Sequence, residues 1–503
     1  MALEDRKTLR SFLLGGARQM VSLLPNLVIY PLIARMLGDA DFGAWTLIGA
    51  AGFMLILSDA GLSTAVRRAA VTDDHALARR TLGLALLTIT AVLPFAIVAM
   101  FHTMLTFRDV GPRLGEEAFR ASAVMMIGGS LGALANPFMD FVYARGGAAQ
   151  VARTRVIGAT VQIAIIVSGF VWKPMLLIPA AASSVNSLIQ LVLLAREARR
   201  HDPELPLLPR LPTDKAEALR AYRDGFAQLS INASVVMALR IDYKVLEWAA
   251  TKHALADGMS ARDASHKALE LVGKYGIAGL AVDMSYMIAK QANTALMRSL
   301  GRNDERTSAF RVGTTIFSGL IVSGMAAIIF AGQPFIVLLL GDKAEGVEVY
   351  TILHLLGAAA MILSTYEVAG QMVMLSAKTA WACAIPYMCG ALVNLFVSVT
   401  FAPVAPLYGI VAVAGSTAIG NCVAAVLLWR QAVRIVEWSW RDAWGVFFPI
   451  VMAASTSIAV AVALGGVANS GPWQSLGVSL VVTLTGVTAM ALTVRRSWQK
   501  DAA

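Results

Sequence analysis

The chain has 503 residues, 57% of them hydrophobic and 15% charged, with a mean hydropathy of +0.66 and a net charge of +10. A soluble protein of this length needs a far more charged surface. Membrane-barrel strands would be half as long as the apolar runs found here and would alternate in polarity, so the composition points to an all-α polytopic membrane protein.

Fourteen apolar runs are predicted as spans, each 17 to 27 residues long, against the roughly 20 helical residues needed to cross a bilayer core. They lie near 11–36, 42–66, 81–107, 119–144, 156–172, 175–195, 225–250, 271–297, 312–331, 349–375, 381–402, 409–429, 445–468 and 474–494. The first follows a basic stretch, MALEDRKTLR, as a signal peptide would. Its apolar run continues to Ala34 with no small-x-small cleavage site, so it is expected to remain as a span. Arg18, Ser22 and Asn26 form a polar stripe along it. The second span carries Asp59 and closes on Arg67 and Arg68. With both termini on one side, the loops of that side hold 28 of the 42 Lys and Arg. The positive-inside rule then places both termini in the cytoplasm, and the basic surplus reports topology rather than nucleic acid.

The fourth span contains Asn136 and Asp140. After the sixth comes REARRHDPELPLLPRLPTDKAEALRAYRDG (196–225), a Pro- and Arg-rich stretch expected to be a cytoplasmic linker. LLAREARR (193–200) recurs as LLWRQAVR (427–434), and DFGAWTLIGAAGFM (41–54) has an echo in KYGIAGLAVDM (274–284) at nearly the same offset. Six spans per repeat make the two halves parallel. The expected organisation is a six-helix lobe over 1–195, the linker at 196–224, a second six-helix lobe over 225–430 and a two-helix tail over 431–503. The polar stretch TKHALADGMSARDASHKALE (251–270), between spans seven and eight, is expected outside as a short surface helix.

Charges inside spans cost roughly 2.5–3.5 kcal/mol each and tend to face a cavity or a partner. In span seven Arg240, Lys244 and Glu247 share a face, with Asp242 opposite; in span eight Asp283 and Lys290 share one; in span ten Glu367 is followed by Gln371. Lys244 and Glu247 can neutralise each other, and Asp283 and Lys290 can snorkel to the interface. Arg18, Arg240, Lys244 and Lys290 are the candidates for a cationic lumen that takes an anionic passenger, since arginine's planar fork suits phosphate. Asp59, Glu367 and Asp283 are the candidates for coupling, because a buried carboxylate can exchange a proton or hold Na⁺. Cys383, Cys389 and Cys422 lie within spans and give no disulfide or metal spacing. There is no phosphate-cradling GxxxxGK[ST] loop, no nucleophile motif and no large external loop to hold chemistry, so neither an enzyme nor a cofactor is expected.

IARMLGDADFGAWTL (33–47) followed by LSDAGLSTAVRRA (57–69) resembles the opening of polysaccharide-type, Wzx-like flippases of the MOP superfamily. GQPFIVLLLGDKAEGVEVYTILHL (332–355) looks like that family's segment between spans nine and ten, and VNLFVSVTFAPVAPLYGIVAVAGSTAIGN (393–421) is similar to its eleventh and twelfth spans. The resemblance implies a carrier that moves undecaprenyl-diphosphate-linked oligosaccharide from the inner to the outer leaflet of the bacterial cytoplasmic membrane by alternating access. The buried carboxylates make a proton or sodium gradient the expected drive. The carrier's partners would be membrane lipids and the polymerase and glycosyltransferases of the pathway. Two departures stand out: the 251–270 insertion, and the lack of the arginine-rich opening of lipid II flippases. A cation-coupled multidrug exporter of the same superfamily is the alternative, with lipid II as a further cargo.

Overall fold

The computed structural model describes residues 24–71, 74–104, 112–211, 214–301, 305–341, 345–376 and 381–500. Among them every regular element is helical and none is a strand. Eleven helices are long and apolar enough to cross a membrane, so the chain is a polytopic helical membrane protein. Of the expected spans outside those eleven, the first lies largely outside the described residues. The seventh and eighth are helical throughout but carry the charged residues noted above.

Contacts gather into two compact units, Val21–Gly273 and Lys274–Ala503. The first unit begins with α1 (Leu24–Met36) and α2 (Asp39–Gly52). A 3₁₀ segment (Phe53–Asp59) and a short α3 (Leu62–Val71) complete the second span. Then come α4 (His75–Met104), α5 (Pro112–Ala144), α6 (Ala148–Trp172) and α7 (Leu177–His201). Helix α5 packs along α7, and α7 along α6. Between α6 and α7 runs a ladder of amides and hydroxyls. Gln162 donates to Ser183 at 3.0 Å, Asn186 to Gln162 at 2.8 Å and Gln190 to Asn186 at 2.9 Å. Inside a bilayer such pairs satisfy groups that no water reaches, and here they set the register of an antiparallel pair.

The next helix runs as α8 (Lys215–Val236), a single π turn (Met237–Ile241) and α9 (Asp242–Ala256). Asp214 caps α8 by accepting the N–H groups of Ala216 and Glu217. The 251–270 stretch does not form a separate surface helix. Gly258, at φ +83°, closes a tight turn from α9 into α10 (Ala261–Gly301), and the Ser260 hydroxyl accepts the Asp263 N–H to cap it. The insertion is thus the tip of a helical hairpin. At 41 residues α10 is about 60 Å long, twice the hydrocarbon thickness, so its extra turns extend a span rather than decorate it. Its early part meets α2 backbone to backbone, since a Cβ on Gly43 would overlap the Leu269 carbonyl.

The second unit contains the rest of α10, then α11 (Arg306–Ala331), α12 (Gln333–Leu340), α13 (Val347–Ser376), α14 (Trp381–Phe401) and α15 (Ile410–Ile435). The tail follows as α16 (Trp440–Ala463), the single turn α17 (Gly465–Ala468) and α18 (Pro472–Lys500). Ser439 and Asp442 form a capping box at the start of α16. The tail helices pack on α11 through small residues, where Gly486 lies against Ser323 and Ser457.

The 196–224 stretch is no loose tether in its first half. Helix α7 continues to His201, and the chain then lies against the start of α4 with Leu205 and Pro206 buried. Asp202 accepts from Arg79 at 2.8 and 2.7 Å and faces His75 at 3.3 Å, while Glu204 also pairs with Arg79. The Arg210 N–H donates to the Gly83 carbonyl at 3.2 Å. Arg80 pairs with Glu217 at 3.0 Å, and Thr88 shares a hydrogen bond with Tyr222 at 2.7 Å. These ties bring α8 into the first unit, so the compact units divide at Gly273–Lys274 while the sequence repeat divides at 224–225.

Burial alone would push the Asp202 carboxyl up, but Arg79, the Glu204 N–H and His75 together hold it below the ordinary carboxylate value. A carboxyl with a depressed folded-state pKa stabilises the folded form above its unfolded value and loses that contribution as pH falls through the folded one. The docked segment should therefore keep its amide protection from pH 7 to about 4 and lose it below, measured by hydrogen exchange at Leu205 and Arg210 corrected for intrinsic rates. Asp202→Asn should exchange fast throughout. Protection that ignores pH in the wild-type protein would contradict the clamp.

Candidate functional site

The second span is broken by its own sequence. The 3₁₀ segment ends at Asp59, and Ala60 and Gly61 follow with φ of 48° and 75°. Gly61 is needed twice here: its φ is left-handed, and a Cβ would run into the Gly225 carbonyl. The break leaves the first N–H groups of α3 without helical partners inside the protein. Asp59 supplies them, accepting from the Gly61 N–H at 2.8 Å and the Ser63 N–H at 3.4 Å. A carboxylate at a helix N-terminus also meets the positive end of the helix dipole. Among the described residues its partners are these backbone groups, and it forms no ion pair there.

One and two turns further along α3, Arg67 pairs with Asp140 of α5, whose side chain is 7% exposed. Asp140 stands within electrostatic reach of Asp59. Asp140 thus stands between the two, paired with Arg67 and facing the second buried carboxylate, Asp59. The carboxylates of spans two and four, singled out separately in the sequence, are brought together. Arg67, one of the two arginines that close the second span, is part-buried and paired with Asp140.

In the second unit Glu367 on α13 is buried, and Tyr387 of α14 donates to its Oε2 at 3.0 Å. The ring of Tyr387 meets Tyr366 edge-on, with centroids 5.8 Å apart. Tyr366 donates to Asn421 at 3.0 Å, and Asn421 donates to the Ala359 carbonyl at 2.9 Å. Beside this, Asn394 accepts from Ser416 at 2.6 Å and from Ser398 at 3.3 Å. Sequence reasoning found Glu367 but not its partners. The signal available was spacing: Asn394 and Ser398 stand at i, i+4, and Asn421 at i+4 from Thr417 and i+5 from Ser416.

On the seventh span Lys244 donates to Glu247 at 2.6 Å, so the lysine's charge is neutralised on its own helix and does not stand as a lone lumen cation. Arg240 lies within the π turn with its guanidinium 6.0 Å from the Tyr243 ring centre; π turns inside α-helices recur at functional sites. Asp242 is buried. Arg18 lies outside the described residues. Asp283 and Lys290 lie on α10, and their side chains are likewise outside the description. Among the described residues no three His, Cys, Asp or Glu side chains group to hold a metal ion.

No protein-family model and no curated protein matches this sequence. Solved structures do. The lipid II flippase MurJ in an inward closed conformation aligns over 98% of this chain and 100% of its own, at 11% identity and a TM-score of 0.68. An outward-facing multidrug resistance MATE family transporter of the MOP superfamily aligns over 86% of this chain and 96% of its own, at 15% identity and a TM-score of 0.60. The Vibrio cholerae MATE transporter VcmN aligns over 87% and 98%, at 11% identity and a TM-score of 0.58. The chain has the fold of MOP superfamily transporters.

The pairing of Arg67 with Asp140 is open to a double-mutant cycle in mixed-micelle unfolding. Asp140→Asn should cost about 1–3 kcal/mol, because it removes the carboxylate partner of a part-buried guanidinium. Arg67→Gln with Asp140→Asn should cost less than the two single losses added, by about 1–3 kcal/mol. Additive single effects would show that the two side chains are merely neighbours.

Proposed function

We propose that the protein is a flippase that carries a polyprenyl-diphosphate-linked oligosaccharide across the bacterial cytoplasmic membrane by alternating access, driven by a proton or sodium gradient. The observation that carries this reading is coverage. The likeness to a lipid flippase runs over 98% of the chain, whereas the likeness to the multidrug transporters covers 83–87%. The difference, about one-eighth of the chain, is close to the size of the two tail helices.

The physical problem fits the fold. A glycan hydroxyl taken into hydrocarbon without a partner costs about 4–8 kcal/mol, so even a short oligosaccharide cannot cross unaided. A polar path through the protein removes that barrier while the prenyl chain stays in lipid. Arg18, Arg240 and Lys290 are the cations proposed to meet the diphosphate; Lys244, held by Glu247, is a weaker candidate. Asp59 and Glu367 are the proposed coupling groups, with Asp283 a third. The cluster of Asp59, Asp140 and Arg67 supports coupling in particular, since a carboxylate with backbone partners and no counter-cation among the described residues can take up a proton or a sodium ion as its surroundings change. Both termini are proposed to be cytoplasmic.

The multidrug reading is favoured by several structural neighbours whose names carry it, and lipid II by another. One experiment separates the three. The purified protein in vesicles is given, in turn, a fluorescent undecaprenyl-diphosphate oligosaccharide, lipid II and a cationic dye under an imposed gradient. The expected outcome is gradient-dependent flipping of the first, abolished by Arg240→Ala and partly kept by Arg240→Lys. Dye movement without lipid flipping would replace the flippase by an exporter.

A further inference from the structure

The segment that follows α7 ends in leucines that the first unit itself does not cover. In PELPLLPRL (203–211) Leu205 and Pro206 are buried, while Leu207, Leu208 and Leu211 are 43, 75 and 80% exposed. The start of α8 adds Leu219, 71% exposed. Adjacent exposed leucines mark a contact with something other than water. They are also held in place. The Arg210 N–H donates to the Gly83 carbonyl at 3.2 Å, and a Cβ on Gly83 would come within 2.9 Å of the Arg210 Cβ.

Their level follows from α4. Beyond Ile89 this helix exposes Val92, Phe95, Val98 and Phe101, which marks the part that faces hydrocarbon. A core about 30 Å thick takes about 20 helical residues, and counted back from Met104 it ends near Ala85. Gly83 then stands about 3 Å outside the core, in the headgroup layer. Since Arg210 is bonded to Gly83, the flanking Leu208 and Leu211 are at that level. Leu219 lies between Glu217, which pairs with Arg80, and Tyr222, which meets Thr88, so it stands at the same border. Arg210, Lys215 and Arg220 alternate with the leucines along the chain and are exposed. Among the described residues none of the three forms an ion pair.

We infer that this edge of the first unit is an interfacial anchor, with Leu207, Leu208, Leu211 and Leu219 set into the bilayer surface at this end of α4. Arg210, Lys215 and Arg220 face its anionic headgroups. Exposed leucines interleaved with cations suit a lipid surface: the apolar groups enter the acyl boundary, and each cation adds about fivefold in attraction to an anionic leaflet. The level decides the occupant. A proline-rich stretch such as PLLPRLP can also lie in an aromatic groove of another protein. Here Pro206 is already covered, and such a groove would have to displace lipid to reach the rest. The anchor depends neither on the cargo nor on the direction of transport.

The test places a nitroxide on a cysteine at Leu208, Leu211 or Leu219, with the exposed His201 as the aqueous control and Cys383, Cys389 and Cys422 replaced by alanine. The full chain is studied by electron paramagnetic resonance in vesicles of phosphatidylglycerol and phosphatidylcholine, with oxygen and a nickel chelate as relaxing agents. The leucine positions should collide several-fold more often with oxygen than with the chelate, and His201 should do the reverse. Chelate collision at the leucine positions equal to that at His201 would overturn the anchor. Vesicles without phosphatidylglycerol should lower the oxygen-to-nickel ratio at the leucine positions; a ratio that ignores the lipid charge would overturn the part given to the cations. Should the cysteine-free chain not fold, a diazirine amino acid at Leu208 of the otherwise native chain, irradiated in its own membrane, gives the second measurement. The expected adduct is phospholipid. A protein adduct as the main product would overturn the anchor in favour of a partner protein.

Discussion

Backbone N–H groups that lose their helical partners in a buried site have no water to turn to, and the break after Asp59, at the end of the apolar stretch Asp39–Asp59, creates such groups inside the protein. The carboxylate of Asp59 accepts two of them, from Gly61 and Ser63. Without that acceptor the left-handed pair Ala60–Gly61 would leave the start of α3 unsatisfied, at a cost comparable to several hydrogen bonds. The turn also sets where α3 points, and with it the approach of Arg67 to Asp140. Gly61, with no side chain, lets the Gly225 carbonyl of α8 come into contact at the same place. One capped break thus positions a part-buried ion pair, a close helix crossing and a carboxylate with no cation among its described partners.

The clamp at the start of α4 acts on the same unit from its polar end. Asp202, Glu204 and Glu217 hold the chain after α7 onto Arg79 and Arg80, and Tyr222 reaches Thr88. These are pairs at the edge of water, individually weak. Their number and the burial of Leu205 and Pro206 make the segment part of the unit. In the second unit the equivalent ordering is apolar and small: Gly486 against Ser323 and Ser457 brings α18 onto α11 and α16. The amides and hydroxyls of α13, α14 and α15 satisfy one another around Glu367.

Much of the helix count was legible, because a span is announced by length and hydropathy alone. The break in the second span was not, since 3₁₀ and left-handed turns in an apolar run leave the hydropathy unchanged; only Asp59 next to Ala60–Gly61 signalled it. The buried charges were found by residue type, but type does not give partners. Lys244 and Glu247 are neighbours on one helix, and i, i+3 spacing was enough to see them meet. Arg67 and Asp140 are 73 positions apart, and the partner of a long-range pair depends on packing that periodicity cannot supply. The hairpin at 251–270 was read as a separate surface helix because its composition is polar. Gly258 was the clue that the two flanking helices simply continue to a turn. The sequence repeat and the contact units divide the chain differently, since α8 packs on α3 and the 3₁₀ segment and is tied to α4 by Glu217 and Tyr222.

If Asp59 serves both as a cap and as the coupling group, the two roles separate under Asp59→Asn. Asparagine keeps one acceptor oxygen for the Gly61 N–H but sets an amide nitrogen against the Ser63 N–H, the longer bond, so the folded protein should survive the change with a loss of about 1–2 kcal/mol. It cannot take up a proton or carry the charge that holds a cation. The decisive measurement is gradient-driven flipping of lipid-linked oligosaccharide by purified Asp59→Asn protein in vesicles, alongside its thermal unfolding. The expected result is a slightly lowered unfolding temperature with flipping that no longer responds to the gradient. Normal gradient-driven flipping by that variant would contradict the account and leave Asp59 as a cap alone.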